Sequence, residues 1–365
     1  MKLPTLYKLA KTGATQVLNM EITGDTYTRE WGQKGGKMQT KSTTAAPKNV
    51  GRSNETTAEQ QAIIEAEAVW TKKKKANYSE SEEAPVTVEL PMKVNSYDKH
   101  AAKINFPCYI SPKLNGVNCE YRKNAEGTLE LLSRGGEQYQ VPIHQVPAIH
   151  AAMTAMGTTR INGEMYIHGE HLQNIMAAVK KPNPQTKDLV FHIFDVPLVE
   201  GDYTARGKKM FIVTDSNYVK LIPVSVAHTT AGIEAAFEEV TLLGYEGLMV
   251  RNASGIYAYN TRSYDVLKYK VAQDAEFQVS SFNIDKNGHA VFNCYKDFNH
   301  VGDNCIFKVK LKGTNEERLE MAANAKDYIG MWLKVEFEML SKDDIPLKPV
   351  GIHFRKVDDN GEASE

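Results

Sequence analysis

Cysteine is scarce in this chain: Cys108, Cys119, Cys294 and Cys305 are the four, and none forms a CxxC pair. Neither a zinc ribbon nor a disulfide framework is suggested. His144, His150, His168, His171 and His192 show no HExxH or similar ligand spacing, so they read as ordinary histidines. No apolar run approaches the length of a membrane span, and residues 1–9 lack the apolar centre of a signal peptide. A cytoplasmic, membrane-free protein is therefore expected. Net charge is also missing: 44 basic residues face 45 acidic ones, a balance of −1. A nucleic-acid partner is invisible in that total, so any such partner requires the cations to be gathered on one face. Lys72–Lys75, then Lys308, Lys310 and Lys312, and then Lys348 with Arg355 and Lys356 are runs that permit this. No internal repeat is seen.

With 365 residues, 42% hydrophobic and 24% charged, the chain has the size and texture of a globular protein of two or three domains. Residues 17–22 and 27–31 read as strands around the turn dipeptide Gly24-Asp25. Residues 57–75 read as a helix, with Asn54 or Thr56 as N-cap and Ala62, Ile63, Ala66, Val69 and Trp70 on one side. A polar linker follows at 79–88. Strands are then expected at 108–110, 117–121, 129–133, 160–167, 189–194, 221–227, 247–251 and 265–270. Helices are expected at 143–156, 172–180 and 233–243. Short strands interrupted irregularly by helices argue for an α+β body and against a doubly wound sheet. From residue 272 the texture changes to strand candidates at 276–282, 290–295, 304–311, 332–339 and 351–357. A helix at 314–328 lies between the third and fourth, the pattern of an OB-fold barrel.

Residues 106–121, FPCYISPKLNGVNCEY, carry the first chemical signal. A strand delivers Ser111-Pro112 and then Lys113 to a turn at Asn115-Gly116, before a second strand begins. A lysine at a strand rim beside a turn suits a nucleophile, provided its amine sheds a proton. Alone, Lys-x-x-Gly is far more often a solvated lysine beside a hairpin. Downstream, in order, come Ser133-Arg134-Gly135-Gly136, Asn162-Gly163-Glu164-Met165, Phe191-His192-Ile193-Phe194-Asp195, Glu246-Gly247-Leu248-Met249-Val250-Arg251 and Leu267-Lys268-Tyr269-Lys270.

This ordered series resembles the motifs of covalent nucleotidyltransferases, and within them the ATP-dependent DNA ligases of phages and large DNA viruses. The resemblance covers roughly residues 85–357. It implies an adenylation domain over 84–271, an OB-fold domain over 272–365, and attack of Lys113 on the α-phosphorus of ATP. It further implies that Lys268 and Lys270 bind phosphate, that Glu164 contacts ribose and that Glu246 acts at a divalent metal, Mg²⁺ or Mn²⁺. Glu164 is a second carboxylate suited to such an ion. Phe194 is expected to stack on adenine, and Arg134 to reach the ribose or the 5′-phosphate of the nick. Ser111 and Arg251 are further nucleotide-contact candidates. Residues 349–355 resemble the family's last motif, which would let Arg355 orient the ATP pyrophosphate. The cysteine pattern lacks the zinc finger of the NAD-dependent bacterial ligases.

Residues 1–83, with Trp31-Gly32-Gln33, paired glycines, a helix and Tyr78, resemble the WGR domains of DNA-damage-responsive proteins, although Gln33 replaces the arginine of the name. A small sheet-plus-helix domain with Trp31 and Trp70 in its core explains the same residues without any DNA contact. Three residues depart from the ligase pattern. Asn115 and Asn162 stand where the family usually has Asp, and Asn118 where its DNA ligases usually have Arg, a role open to Arg122 or Arg134. The reading is a monomeric enzyme that seals nicked duplex DNA through a lysyl–AMP intermediate. Its rivals are an RNA ligase or capping guanylyltransferase, and a nick-binding protein with weakened catalysis.

Overall fold

The computed structural model of the chain describes residues 1–10, 12–74, 76, 78–82, 89–270, 272–296 and 306–355. Lys75, Cys305, Lys356, linker residues 83–88 and the acidic tail 358–365 lie outside the described residues. In chain order the strands begin with β1 (Lys2–Leu9), β2 (Thr15–Thr23), β3 (Thr26–Gln33), β4 (Met38–Thr44), β5 (Lys93–Ser96), β6 (Cys108–Lys113), β7 (Val117–Lys123), β8 (Leu129–Ser133) and β9 (Gln138–Tyr139). They continue with β10 (Arg160–Tyr166), β11 (Val190–Asp195), β12 (Val219–Leu221), β13 (Ser225–Ala227), β14 (Gly247–Asn252) and β15 (Arg262–Tyr269). The last are β16 (Gln273–Ile284), β17 (Ala290–Tyr295), β18 (Ile306–Leu311), β19 (Trp332–Phe337) and β20 (Val350–Arg355). The helices are α1 (Ala58–Lys74), α2 (Tyr97–His100), α3 (Val146–Met156), α4 (Leu172–Lys180), α5 (Tyr203–Met210), α6 (Thr230–Leu242) and α7 (Asn315–Ala323).

Contacts divide the chain into two units, the first made of Met1–Lys93, Cys119–Tyr139 and Ala258–Thr261. In it β1 to β4 form an antiparallel meander, and the turn Gly24-Asp25 joins β2 to β3 as the sequence suggests. The helix α1 packs Ala62 and Ala66 against Leu6, Leu18, Met20 and Ile22, with Trp31, Val69, Trp70 and Tyr78 at the margin. Burying that apolar stripe is what stabilises a helix carrying six ionisable residues, three of them lysines in its last turn. Its cap is Thr57 and not Asn54 or Thr56. The Thr57 hydroxyl accepts from the Gln60 N–H at 3.2 Å, while the Gln60 side chain accepts from the Thr57 N–H at 3.0 Å. Ser79, read from sequence as linker, is tied into the unit by two backbone hydrogen bonds with Tyr7 of 2.7 and 2.8 Å. The strands β7, β8 and β9 pair in sequence order within the same unit.

The second unit holds Val94–Asn118, Gln140–Tyr257 and Arg262–Glu365. Its central sheet runs β13-β6-β14-β15-β5, and a core of Ile110, Ile233, Leu248, Val250 and Leu267 lies between that sheet and α6. In a second sheet β10, β11 and β12 lie side by side. The single strand expected over 221–227 is two, β12 and β13, in different sheets. Pro223 falls in the break, where a missing N–H ends pairing. The strands β16 to β20 close into a barrel in the order β16-β17-β18-β20-β19. Phe292, Val309, Leu333 and Val335, all fully buried, fill its interior. As expected, a helix separates the third and fourth barrel strands. Thr314 caps it through a reciprocal pair with Glu317.

Candidate active site

Antiparallel register builds the site. The strand β14 pairs with β6 so that Gly247 faces Lys113, and with β15 so that Leu248 faces Tyr269. Glu246, one residue before β14, is thereby set beside Lys113, the last residue of β6, and Lys270, the first after β15. Lys113 Nζ donates to Glu246 Oε2, and Lys270 Nζ lies 3.3 Å from Glu246 Oε1. All three side chains are largely covered, with relative exposures of 20%, 15% and 17%. Lys268 is held below the usual lysine range, first by burial and then by the charge of Lys270. Ser111 is buried two residues before Lys113 on the same strand face and pairs with Met249.

Two glycines make this arrangement possible. A Cβ on Gly116 would stand 2.3 Å from Met165 O and 2.8 Å from Glu164 Cγ, so the turn after Lys113 lies directly on β10 at Glu164. A Cβ on Gly247, whose φ is +148°, would stand 2.2 Å from Tyr269 O. The glycines of Lys-x-x-Gly and Glu-Gly are therefore steric requirements of strand packing at the lysines.

The strand β11 carries a bulge. Asn162 pairs with Asp195 and Gly163 with Ile193, which leaves Phe194 as the extra residue. A bulge re-aims its side chain, and Phe194 is only half-buried. The Arg251 guanidinium lies 5.4 Å from the Phe194 ring and 4.9 Å from the Tyr203 ring. Arg251 itself is 5% exposed and its Nη1 is 3.4 Å from Asp195 Oδ2. Asp195 also holds Arg206, at 2.6 and 3.3 Å. The Tyr257 hydroxyl donates to Asn162 Oδ1 at 3.3 Å. Arg134 is exposed in the turn after β8. Arg122 bonds Glu120 and the Glu89 carbonyl. Asn118 keeps a buried Oδ1 without a hydrogen-bond partner.

The barrel reaches the lysines by a route the sequence did not reveal. Glu338, just past β19, sets its Oε1 2.8 Å from Lys270 Nζ and its Oε2 2.6 Å from Lys348 Nζ. Asn115 Nδ2 donates to Met339 Sδ at 3.4 Å. Arg355 instead pairs with Glu276 on the barrel, at 2.7 Å. An acidic residue near the end of the strand candidate over 332–339 gives no motif, so Glu338 had no signal to find.

Among the described residues, no group of three or more His, Cys, Asp or Glu side chains is placed to hold a metal ion. What the edge offers is one carboxylate, Glu246, among ammonium groups. That donor set fits a magnesium-type ion held chiefly by substrate phosphates and water, and not an all-protein cage.

Residues 90–270 match the ATP-dependent DNA ligase domain. The chain belongs to the ATP-dependent DNA ligases. Over 340 residues it is 24% identical to the DNA ligase of African swine fever virus (isolate Warthog/Namibia/Wart80/1980), covering 85% of this chain and 78% of the viral one. Identity and coverage are the same for the ligase of the Tick/Malawi/Lil 20-1/1983 isolate. Among solved structures, a Lig E DNA ligase superposes with a TM-score of 0.58 at 21% identity, covering 73% of this chain and 100% of that one. A Pmar-Lig structure gives 0.60 at 20% identity, covering 73% and 67%. The likeness to these ligases extends beyond residue 270, so the family's fold takes in more than the matched domain. No helix among the described residues is long and apolar enough to cross a membrane.

Proposed function

We propose that the Lys113–Glu246–Lys270 edge is the adenylylation centre through which this chain seals 3′-hydroxyl/5′-phosphate nicks in duplex DNA. The observation that carries this is the strand register: it brings the lysine of the first motif, Lys113, the glutamate of the fifth, Glu246, and the lysine of the last in that series, Lys270, into direct contact. Lys113 Nζ, once deprotonated, attacks the α-phosphorus of ATP. A P–N bond forms, the P–O bond to pyrophosphate breaks, and the electron pair leaves with pyrophosphate. Lys268 and Lys270 face the charge that develops on the phosphoryl oxygens, where preorganised cations act most strongly. An oxygen of the DNA 5′-phosphate then attacks the lysyl-bound phosphorus, and Lys113 departs and takes up a proton. The 3′-hydroxyl finally attacks the activated 5′-phosphorus and AMP leaves. A divalent ion at Glu246, with Glu164 the second candidate carboxylate, would neutralise phosphate charge when bound.

In this reading Phe194 offers its half-open ring to adenine, and Glu164, against the Gly116 turn, meets the ribose. Arg134 serves the ribose or the nick phosphate, Arg355 serves the pyrophosphate, and Ser111 and Arg251 support the nucleotide site from within. The chain divides at about 83 and 271 into a WGR-like domain, an adenylation domain and an OB-fold barrel, and works as a monomer in a cytoplasmic compartment. The first domain adds contacts to DNA. Its support is on β3 and the edge strand β4, where Arg29 and Lys41 stand directly opposite each other in register. Like charges so placed repel unless an anion joins them. Arg29 Nε is also buried without a partner.

The test is incubation with α-labelled ATP and Mg²⁺, followed by addition of nicked duplex. The protein should acquire an acid-labile AMP and pass it to DNA, and Lys113→Ala should acquire none. Label that persists in the mutant, or that comes from GTP and not from ATP, would overturn the assignment.

A further inference from the structure

The barrel places a carboxylate on a lysine that the nucleotide site needs. Between β19 and β20 the chain makes a tied arm. Glu338 N–H donates to Leu347 O at 3.0 Å, Leu347 N–H to Met339 O at 2.8 Å, and Ser341 N–H to Ile345 O at 2.8 Å. The Ser341 hydroxyl, 8% exposed, accepts from the Ile345 N–H at 3.0 Å and so fixes the tip. At the base of the arm, Glu338 is gripped by Lys270 at 2.8 Å and Lys348 at 2.6 Å, and Met339 accepts from Asn115. The result is an alternating chain of charge: Lys113, Glu246, Lys270, Glu338, Lys348. Lys268 lies beside it and makes no ion pair among the described residues. Three lysines thus share two carboxylates with Lys268 beside them, so the cluster has an excess of cations and Glu338 supplies the negative charge that the barrel brings to it. Asn115 is part of the same device, because an amide donates to the Met339 sulfur and the Asp usual at this position has no proton to give when ionised.

We infer that Glu338 is an internal anion standing where substrate phosphate oxygens bind, an autoinhibitory contact that ATP must displace from Lys270 before Lys113 is adenylylated. This rests on the reading of Lys268 and Lys270 as phosphate-binding lysines. A carboxylate and a phosphate present the same kind of oxygen to an ammonium group, and Lys270 has two carboxylates already within ion-pair distance. Displacement releases Lys348 as well, because both lysines hold the same side chain. The contact does not switch with pH in the neutral range. Burial tends to push the Glu338 carboxyl up, but the hydrogen bonds and charges of Lys270 and Lys348 outweigh it and bring it down to about 2. A depressed carboxylate keeps its pairing energy above its free value and loses it only as pH falls towards 2, so displacement by an anion, and not protonation, is the route of opening.

The experiment uses the full chain. Glu338→Gln keeps the shape and removes the charge at a side chain that is 32% exposed, so the fold is retained. Two measurements are made on it and on the wild type: the Kd for ATP with chelator present, where no transfer occurs, and KM and kcat for lysyl–AMP formation with Mg²⁺. The expected result is a fall of about fivefold in both Kd and KM, the scale of a partly exposed ion pair, with kcat no lower. Glu338→Asp, which keeps the charge, should sit near the wild type. Unchanged or weaker ATP binding by Glu338→Gln would overturn the inference. So would a fall in kcat at constant KM, which would make Glu338 a positioning residue for Lys270. If neither protein forms lysyl–AMP, the adenylylation reading fails, while the Kd comparison still decides whether Glu338 competes with ATP.

Discussion

Gly247→Ala is the sharpest probe of how the site is built, because it changes no functional group. An alanine Cβ would stand 2.2 Å from Tyr269 O and 3.1 Å from a Phe237 ring carbon. Ordinary contact needs roughly 3.4 Å, so β14 and β15 must part locally by about 1 Å. Gly247 is one residue from Glu246 and faces Lys113 in register, and Tyr269 is one residue from Lys270. The displacement therefore falls on the three groups that form the edge. A non-glycine residue at φ +148° adds backbone strain of about 1–3 kcal/mol. A misplacement of about 1 Å in a positioned site costs roughly a hundredfold in rate. Single-turnover lysyl–AMP formation should fall by about that factor, while circular dichroism shows a protein still folded and modestly less stable. Gly157→Ala is the control. Its φ of +64° is also left-handed and nothing lies within 4 Å of its Cβ, so it should lose some stability and keep its rate. Wild-type labelling by Gly247→Ala would refute the claim that close strand packing sets the lysines. A loss fully accounted for by the unfolded fraction would refute it too.

Two further outcomes are expected. Arg355→Ala should label poorly with ATP yet seal a pre-adenylylated nick comparatively well. Its pair with Glu276 joins side chains that are 35% and 27% exposed, which is worth at most about 1 kcal/mol, so Glu276→Gln should spare labelling. Equal loss by both variants in both assays would make Arg355 a barrel brace. Arg29→Ala combined with Lys41→Ala should weaken nicked-duplex binding and flatten the dependence of log K on log salt by about 0.9 per lost phosphate contact. An unchanged slope would show that the first domain serves something other than DNA.

Elements flanking the motifs were legible in sequence because apolar strands run directly into polar, glycine-marked turns, as at Lys113 and Glu246. The helix over 172–180 was read with both ends correct. What the sequence hid depends on partners distant in the chain. The helix α5, YTARGKKM, is polar and holds a glycine, so periodicity misses it. It is fixed by Arg206, 1% exposed, which bonds Asp195 and the carbonyls of Gly201 and Gly255. The outer strand β4, MQTKSTT, carries a single apolar residue, and β1, KLPTLYKL, shows no strict alternation and holds Pro4; both pair along the edges that β2 and β3 present. The bulge at Phe194 needs the register of β10 against β11, which no single strand contains.

Arg251 is a motif arginine held inside the fold. Its motif makes it a nucleotide-contact candidate, and the structure has it 5% exposed and sharing Asp195 with Arg206. Two guanidinium groups on one carboxylate leave a buried excess of one positive charge, and Arg251 Nε has no hydrogen-bond partner. Such a charge is costly unless something answers it. The faces of Phe194 and Tyr203 do so, at 5.4 and 4.9 Å, through their negative quadrupoles. That attraction works in both directions. Phe194 sits in a bulge and is only partly covered, where rotamer freedom would otherwise blur its position, and the buried cation holds the ring. If Phe194 stacks on adenine as proposed, the charge of Arg251 acts there through the orientation of an aromatic ring, so Arg251→Lys, which lacks the planar group, is not a conservative change.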